Sequence, residues 1–424
     1  MSSNSGGWAM ICHVDDGEQG TVSILTESDG EFDVQCLAAS THSGKPADRS
    51  PYFLGVNSEN QIVMLDRESK LISAQEQIPA DAFPAYVYRD PDSNYVWFMT
   101  DGDKKTGNDT LNCGEQGSSV TVINGNTAGT PELIKTICVG RGHHVTTFTA
   151  PTEKMPNIPK RAFVSNLIDG SITVVGNDSS DNETYLKVMD TINLGESGKE
   201  DGGDISIPNN AFPHGKEFSA FTGKIYSLNN GYATVAVIDP ISNEIESRIG
   251  LKVSSNLLLS PDGRFLIGKG ADRKSNPEHV MGRLTVIDAV QQEVISMHDL
   301  QDVYPSAYRF SPDGSKLYVT TASTGKGVQH DNLKMSVLQI YDTSALPAFS
   351  LLKEVEVGVA DCGRRPIAFA SDDGELKRVF IPNPTDGTVT VLDGDDNVLD
   401  TVKVSEGNAK DVNFSFWRGD THGA

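Results

Sequence analysis

The sequence predicts an all-β chain, on three observations. An alternating apolar phrase recurs along the whole length, turn phrases of the Ser-Pro-Asp-Gly kind stand between its copies, and no long amphipathic pattern of helical period interrupts them. The phrase reads Gly20-Thr-Val-Ser-Ile-Leu25, Gln61-Ile-Val-Met-Leu-Asp66, Ser119-Val-Thr-Val-Ile-Asn124 and Ser171-Ile-Thr-Val-Val175 in the first half. It returns as Thr234-Val-Ala-Val-Ile-Asp239, Leu284-Thr-Val-Ile-Asp288, Ser336-Val-Leu-Gln-Ile-Tyr-Asp342 and Thr388-Val-Thr-Val-Leu-Asp393. These eight copies stand roughly 40 to 65 residues apart. Period-two alternation with β-branched residues means strands.

The turns come next. Ser260-Pro-Asp-Gly263 leads into Arg264-Phe-Leu-Ile267, and Ser311-Pro-Asp-Gly314 into Ser315-Lys-Leu-Tyr-Val-Thr320. Ser371-Asp-Asp-Gly374 and Asp169-Gly170 are read as related turns. Pro presets one turn dihedral and Gly accepts a positive φ, so each phrase closes a tight hairpin. A unit is then strand, turn, strand, loop, alternating strand, turn, strand. Four antiparallel strands repeated about an axis make a β-propeller, here a single domain over residues 1–424. Eight blades are expected, with seven as the alternative, because residues 36–50 give a poor first strand for the second blade.

The ends are expected to close the ring. Trp8-Ala-Met-Ile-Cys-His-Val14 reads as a second strand lacking a first, and Asp411-Val-Asn-Phe-Ser-Phe416 as an extra strand with nothing after it. The last strand therefore completes the first blade and removes two open edges.

Composition bounds the function. The chain has 424 residues, with 58 Asp and Glu against 35 Lys and Arg, a net charge of −23. Phosphate-rich surfaces repel such a chain, which argues against nucleic acid and anionic membranes. No run of about 18 apolar residues occurs, so no membrane span is expected. Residues 1–7 are small and polar and do not read as a signal peptide. Five cysteines form no C-x-x-C pair, which disfavours a zinc knuckle, and no C-x-x-C-H occurs, which removes covalent c-type haem. Cys113 and Cys138 bracket one strand pair and are the expected disulfide, with buried free thiols as the alternative.

Strand phrases such as Leu317-Tyr-Val-Thr320, with the S-P-D-G turns and T-V-x-V-I-D strands, resemble the YVTN-type β-propeller family. The eight-fold count is similar to its relative, the cytochrome d1-type propeller. The resemblance covers nearly the whole chain through short structural phrases, while the W-D signature of another propeller class is absent. It implies a secreted or periplasmic protein, from a family that includes haem d1 binders, amine dehydrogenase subunits and lactonase-like enzymes. Fold alone selects none of these.

Propeller topology sorts the loops. Blade-to-blade loops and the loops between second and third strands share one face, the channel mouth. Gly140-Arg-Gly-His-His144, Phe212-Pro-His-Gly215, Cys362-Gly-Arg-Arg-Pro366 and Glu406-Gly-Asn-Ala-Lys-Asp411 each precede or open an expected innermost strand. Long second-to-third strand loops carry Asp101-Gly-Asp103, Pro277-Glu-His279 and Gln329-His330. The mouth is thereby expected to gather Arg141, His143, His214, Arg364, Arg365 and Lys410 for an anionic ligand or cofactor, since guanidinium forks match carboxylate and phosphate. His143, His144, His214, His279 and His330 are the candidate ligands for copper or zinc, although His143 and His144 face opposite ways on a strand. The resemblance also implies the plain alternative, in which His and Arg of the P-H-G and G-R-G connectors bond neighbouring carbonyls.

Other signals in the sequence are weaker. The loop Asp101-Gly-Asp-Lys-Lys-Thr-Gly107 has Thr106 and Asn112 where a calcium loop needs Gly and Glu, and reads as a solvated acidic loop. No G-x-S-x-G elbow and no P-loop occur. Trp8, Trp97 and Trp417 sit in strand patterns and are expected in the core. The expected function is a non-catalytic or accessory propeller that binds a small anionic ligand, metal or partner protein at a His/Arg mouth. The alternatives are an oxidoreductase or subunit holding a haem d1-like or copper cofactor there, and a lactonase-like hydrolase.

Overall fold

The computed structural model describes residues 9–15, 21–28, 30–37, 43–46, 52–56, 61–66, 72–77, 83–101, 113, 118–125, 131–276, 278–324, 331–361, 365–372, 374–405 and 408–415. Eight four-stranded antiparallel sheets are present, each built from sequence neighbours except at the ring closure. From the axis outward, blade four runs His143–Thr149, Arg161–Asn166, Ser171–Gly176 and Val188–Asn193. Blade five runs Pro213–Ser219, Lys224–Asn229, Thr234–Ile238 and Ile245–Gly250. Blade six begins with a short inner strand, Asn256–Leu259, and blades seven and eight begin with Pro305–Phe310 and Ala368–Asp372. The doubtful first strand of blade two is Ser43–Pro46, only four residues long. The eight-bladed expectation is met.

The ring closes as the end phrases required. Asn408–Ser415 pairs antiparallel with Ala9–Asp15 and becomes the innermost strand of blade one. A buried two-point contact then ties blade eight to blade one: Arg378 Nε and Nη2 donate to the Glu27 carboxylate at 2.8 and 2.5 Å.

The core sits between blades. One cluster joins Phe163, Ile172 and Val174 of blade four to Ile225, Ala236 and Ile238 of blade five. Another joins Tyr226, Leu228 and Val237 to Leu257, Leu266 and Ile287 across blades five and six. Third strands are therefore covered on both faces. In Ser171–Gly176 every residue is buried, and the threonines that alternate with its apolar residues elsewhere (Thr121, Thr285, Thr390) are buried too. Trp97 is in the core, as expected. Trp8 and Trp417 lie outside the described residues.

The Ser-Pro-Asp-Gly turns join first to second strands, with Gly263 and Gly314 both at φ +73°, a conformation an L side chain would strain. In each, the Ser hydroxyl donates to the Asp carboxylate and accepts an amide N–H five residues on. Asp169-Gly170 is a different turn. It joins the second and third strands of blade four, on the opposite face from the Ser-Pro-Asp-Gly hairpins. Cys113 and Cys138 form the expected disulfide, which ties the long loop of blade three to its outermost strand, Glu132–Val139. Cys36 is a free, exposed thiol.

Candidate functional site

The innermost strands stand side by side around the axis. Gly215 packs on the backbone of Leu257, and the Thr147 hydroxyl donates to the Lys216 carbonyl at 2.9 Å, so blades four, five and six are in register along the channel. The loops ahead of these strands and the second-to-third strand loops share the mouth face, as the topology argument requires.

Arg141 precedes the inner strand of blade four. Its backbone N–H donates to Asp169 Oδ2 at 2.8 Å and its Nε to Asp169 Oδ1 at 2.7 Å. Asp169 is itself held by the turn of blade four, where its carbonyl accepts the Asn209 N–H. This two-point clamp orients the guanidinium. The Arg141 side chain keeps 23% exposure, and its two Nη atoms have no partner among the described residues. An oriented fork with free outer nitrogens is a ready site for a carboxylate or phosphate.

Arg365 sits differently. It is fully buried, and all five N–H donors of its guanidinium are used within the protein. Nε donates to Pro382 O at 2.9 Å, Nη1 to Thr321 O and Met335 O at 3.0 and 3.1 Å, and Nη2 to Asn383 Oδ1 at 3.0 Å and to Gly358 O. Burial lowers its pKa to about 10. It rivets blade seven to blade eight and leaves no donor for a ligand, which matches the carbonyl-bonding role the family resemblance implied for connector residues.

His214 is half-buried at the mouth end of the inner strand of blade five, beside an exposed Phe212 held at φ +48°. His279 lies at the mouth of blade six, its Nδ1 2.7 Å from Asp302 Oδ1. His143 and His144 open the inner strand of blade four, and Lys410 lies on the closing strand, with side chains outside the described residues. His330, Arg364 and Pro277 lie outside them altogether. Among the described residues, no three His, Cys, Asp or Glu side chains gather as a metal set. The described side chains of the expected cofactor set are likewise on different blades: Arg365 is committed to protein oxygens, Arg141 precedes blade four and His214 lies on blade five. No chemical step is derived through a haem-type or copper group.

Sequence reasoning missed the charged residues inside the channel wall. Lys216 donates from Nζ to Val145 O at 3.2 Å and Ser165 Oγ at 2.8 Å, toward blade four. Glu217, its neighbour, turns toward blade six, where its carboxylate meets the Leu259 amide. Lys269 donates to Pro305 O and Ser306 O at 3.1 and 2.7 Å, and Arg309 to Ile367 O at 3.0 Å. Each of these side chains reaches a neighbouring blade, Lys216 the preceding one and Glu217, Lys269 and Arg309 the following one, and all but one of the groups they meet there belong to the backbone. Burial drives the Lys216 amine well below its ordinary range and pushes the Glu217 carboxyl up to about 8. A signal was present: Lys216 and Glu217 are adjacent on a strand covered from both sides, so one charge must enter each blade interface.

No family model matches the sequence, and no curated protein matches it. Solved structures do share the fold. The Pseudomonas aeruginosa periplasmic gluconolactonase PpgL is similar at TM-score 0.56 and 14% identity, over 96% of this chain and 99% of that one. The dihydro-heme d1 dehydrogenase NirN in complex with DHE is similar at 0.55 and 14%, over 88% and 67%. The Kuenenia stuttgartiensis hydrazine synthase is similar at 0.52 and 16%, over 78% and 90%. At these identities the likeness shows a β-propeller and nothing finer. No helix among the described residues is long and apolar enough to cross a membrane.

Proposed function

We propose that this chain is a secreted or periplasmic, non-catalytic propeller that holds a small anionic ligand at its channel mouth. The observation that carries the reading is the Arg141–Asp169 clamp, which fixes a guanidinium while its outer nitrogens have no partner among the described residues. His214, His143 and Lys410 are the other mouth residues proposed to meet the ligand. The Cys113–Cys138 disulfide supports an oxidising compartment. So does the likeness to a gluconolactonase described as periplasmic.

Calorimetric titration of the full chain with inorganic phosphate and with small dicarboxylates tests the reading. Arg141→Lys keeps a positive charge against Asp169 and removes the fork. It is expected to weaken binding about tenfold. Unchanged affinity removes Arg141 from the site, and no binding by any anion ends the reading.

A cofactor-holding redox function is the second reading, drawn from the likeness to NirN, which is described in complex with DHE. A visible absorbance spectrum of natively purified protein separates the two, since visible bands favour the cofactor.

A further inference from the structure

A second cluster occupies the same face, between blades six and seven. Two side chains of the segment 272–280 reach across to the segment 302–304. His279 Nδ1 lies 2.7 Å from Asp302 Oδ1, and Arg273 Cζ lies 5.7 Å from the centroid of the Tyr304 ring. Asp302 and Tyr304 are two residues apart, so the Cα atoms that anchor these two contacts lie within about 7 Å of each other. The frame is firm. The Asp302 N–H donates to Val280 O at 2.8 Å, its carbonyl accepts from the Lys334 N–H at 2.9 Å, and its φ is +58°. The Tyr304 carbonyl accepts from the Ala322 N–H at 3.1 Å, and Arg273 Nη1 donates to Thr324 O at 3.2 Å.

This frame fixes which atom of His279 can do what. An ionised carboxylate only accepts hydrogen bonds, so Asp302 places the ring proton on Nδ1. In the neutral ring, Nε2 is then left as an acceptor. The His279 side chain is 30% exposed, and neither its Nε2 nor the Nε and Nη2 of Arg273 has a partner among the described residues. The nearby acids are turned to other work. Asp272 accepts the amides of Lys274 and Ser275, and Asp299 takes Arg283 through two bonds at 2.6 and 3.0 Å. Glu278 is exposed.

We propose that this cluster is a selectivity subsite of the mouth, in which Arg273 meets an anionic group and His279 Nε2 accepts a hydroxyl from the same ligand. The ligand class is a hydroxycarboxylate. The proposal rests on the anion-binding reading above and adds the demand for a hydroxyl donor, which a bare anion cannot meet. An acceptor left unpaired in a framed site disfavours the ligand lacking the donor.

The test is calorimetric titration of the full chain at pH 8 with L-malate and with succinate, two dicarboxylates that differ by one hydroxyl. Malate is expected to bind about tenfold tighter. The preference should vanish in His279→Ala, which leaves the backbone bonds of Asp302 in place, and in Asp302→Asn, whose amide can donate to Nδ1 and so move the ring proton to Nε2. Arg273→Ala should weaken both acids alike. Equal affinity for the two acids, or a preference that persists in His279→Ala, overturns the subsite while leaving the anion-binding reading intact. Failure of both acids and of phosphate overturns the two together.

Discussion

Lys216 and Glu217 are consecutive in the chain, yet their ionisable ends turn to different blades, the amine to Val145 and Ser165 of blade four and the carboxyl to Leu259 of blade six. A single inner strand thus joins three blades through ionisable side chains that meet backbone groups and a hydroxyl.

The carboxyl makes stability depend on pH. In the folded chain Glu217 titrates at about 8, against about 4.3 for an unfolded glutamate. Between those values the folded state holds the extra proton, so stability falls as pH rises through that window. Glu217→Gln, which keeps the shape without the charge, should flatten this dependence and raise the urea midpoint at pH 8 to 9 relative to the parent. Parallel slopes for the two proteins from pH 5 to 9 would refute the assignment.

Arg365 should behave as a structural rivet. Removing it breaks five hydrogen bonds at the joint of blades seven and eight, three of them buried, so Arg365→Ala is expected to lose about 3 kcal/mol or more in chemical unfolding. Arg365→Lys should also lose stability, because one ammonium with three donors cannot serve five acceptors arranged around a planar fork. A change of less than about 1 kcal/mol in either variant would contradict that role.

The disulfide closes a loop with a sequence separation of 25 residues. Chain-entropy arguments give about 3 kcal/mol for a loop of that size. Paired Cys113→Ser and Cys138→Ser changes, or unfolding under reductant, should lower stability by that order. Reductant should have no further effect on the double variant.

Glu27 and Arg378 close the seam between the last blade and the first. Glu27→Gln leaves a guanidinium in a buried joint without its carboxylate, and should lose about 2 to 4 kcal/mol. Hydrogen exchange should then rise first in blades one and eight. Uniform exchange around the ring would show that the seam is not a weak point.

Much of the architecture was legible because propellers are written in repeats. The eight alternating phrases marked the third strands, and the end phrases Trp8 to Val14 and Asp411 to Phe416 predicted the closing pair of strands. The disulfide was legible from the strand spacing. The site was less so. The topology argument pointed to Arg141 and His279, but their clamps to Asp169 and Asp302 depend on residues 28 and 23 positions away. In the sequence, Asp169-Gly170 reads only as a turn related to the Ser-Pro-Asp-Gly hairpins. Arg365 looked like a ligand fork in the string Gly-Arg-Arg-Pro, and only its burial among five acceptors shows what it does. Residue type announces a charge, whereas the shape around it decides whether the charge meets a ligand or a carbonyl.

The pairing of Ala9–Asp15 with Asn408–Ser415 also bears on how the chain reaches its fold. Every other blade can assemble from a continuous segment of its own, but blade one must wait for both ends. The entropic penalty for so long a closure is modest: each doubling of loop length adds about 0.6 kcal/mol, so spanning nearly the whole chain instead of one blade, about three doublings, adds about 1.8 kcal/mol. The effect on rate is larger, because contacts of such sequence separation form late. Blade one is therefore the last to assemble, and until it does, a nearly finished ring exposes two unpaired strand edges that another copy could capture.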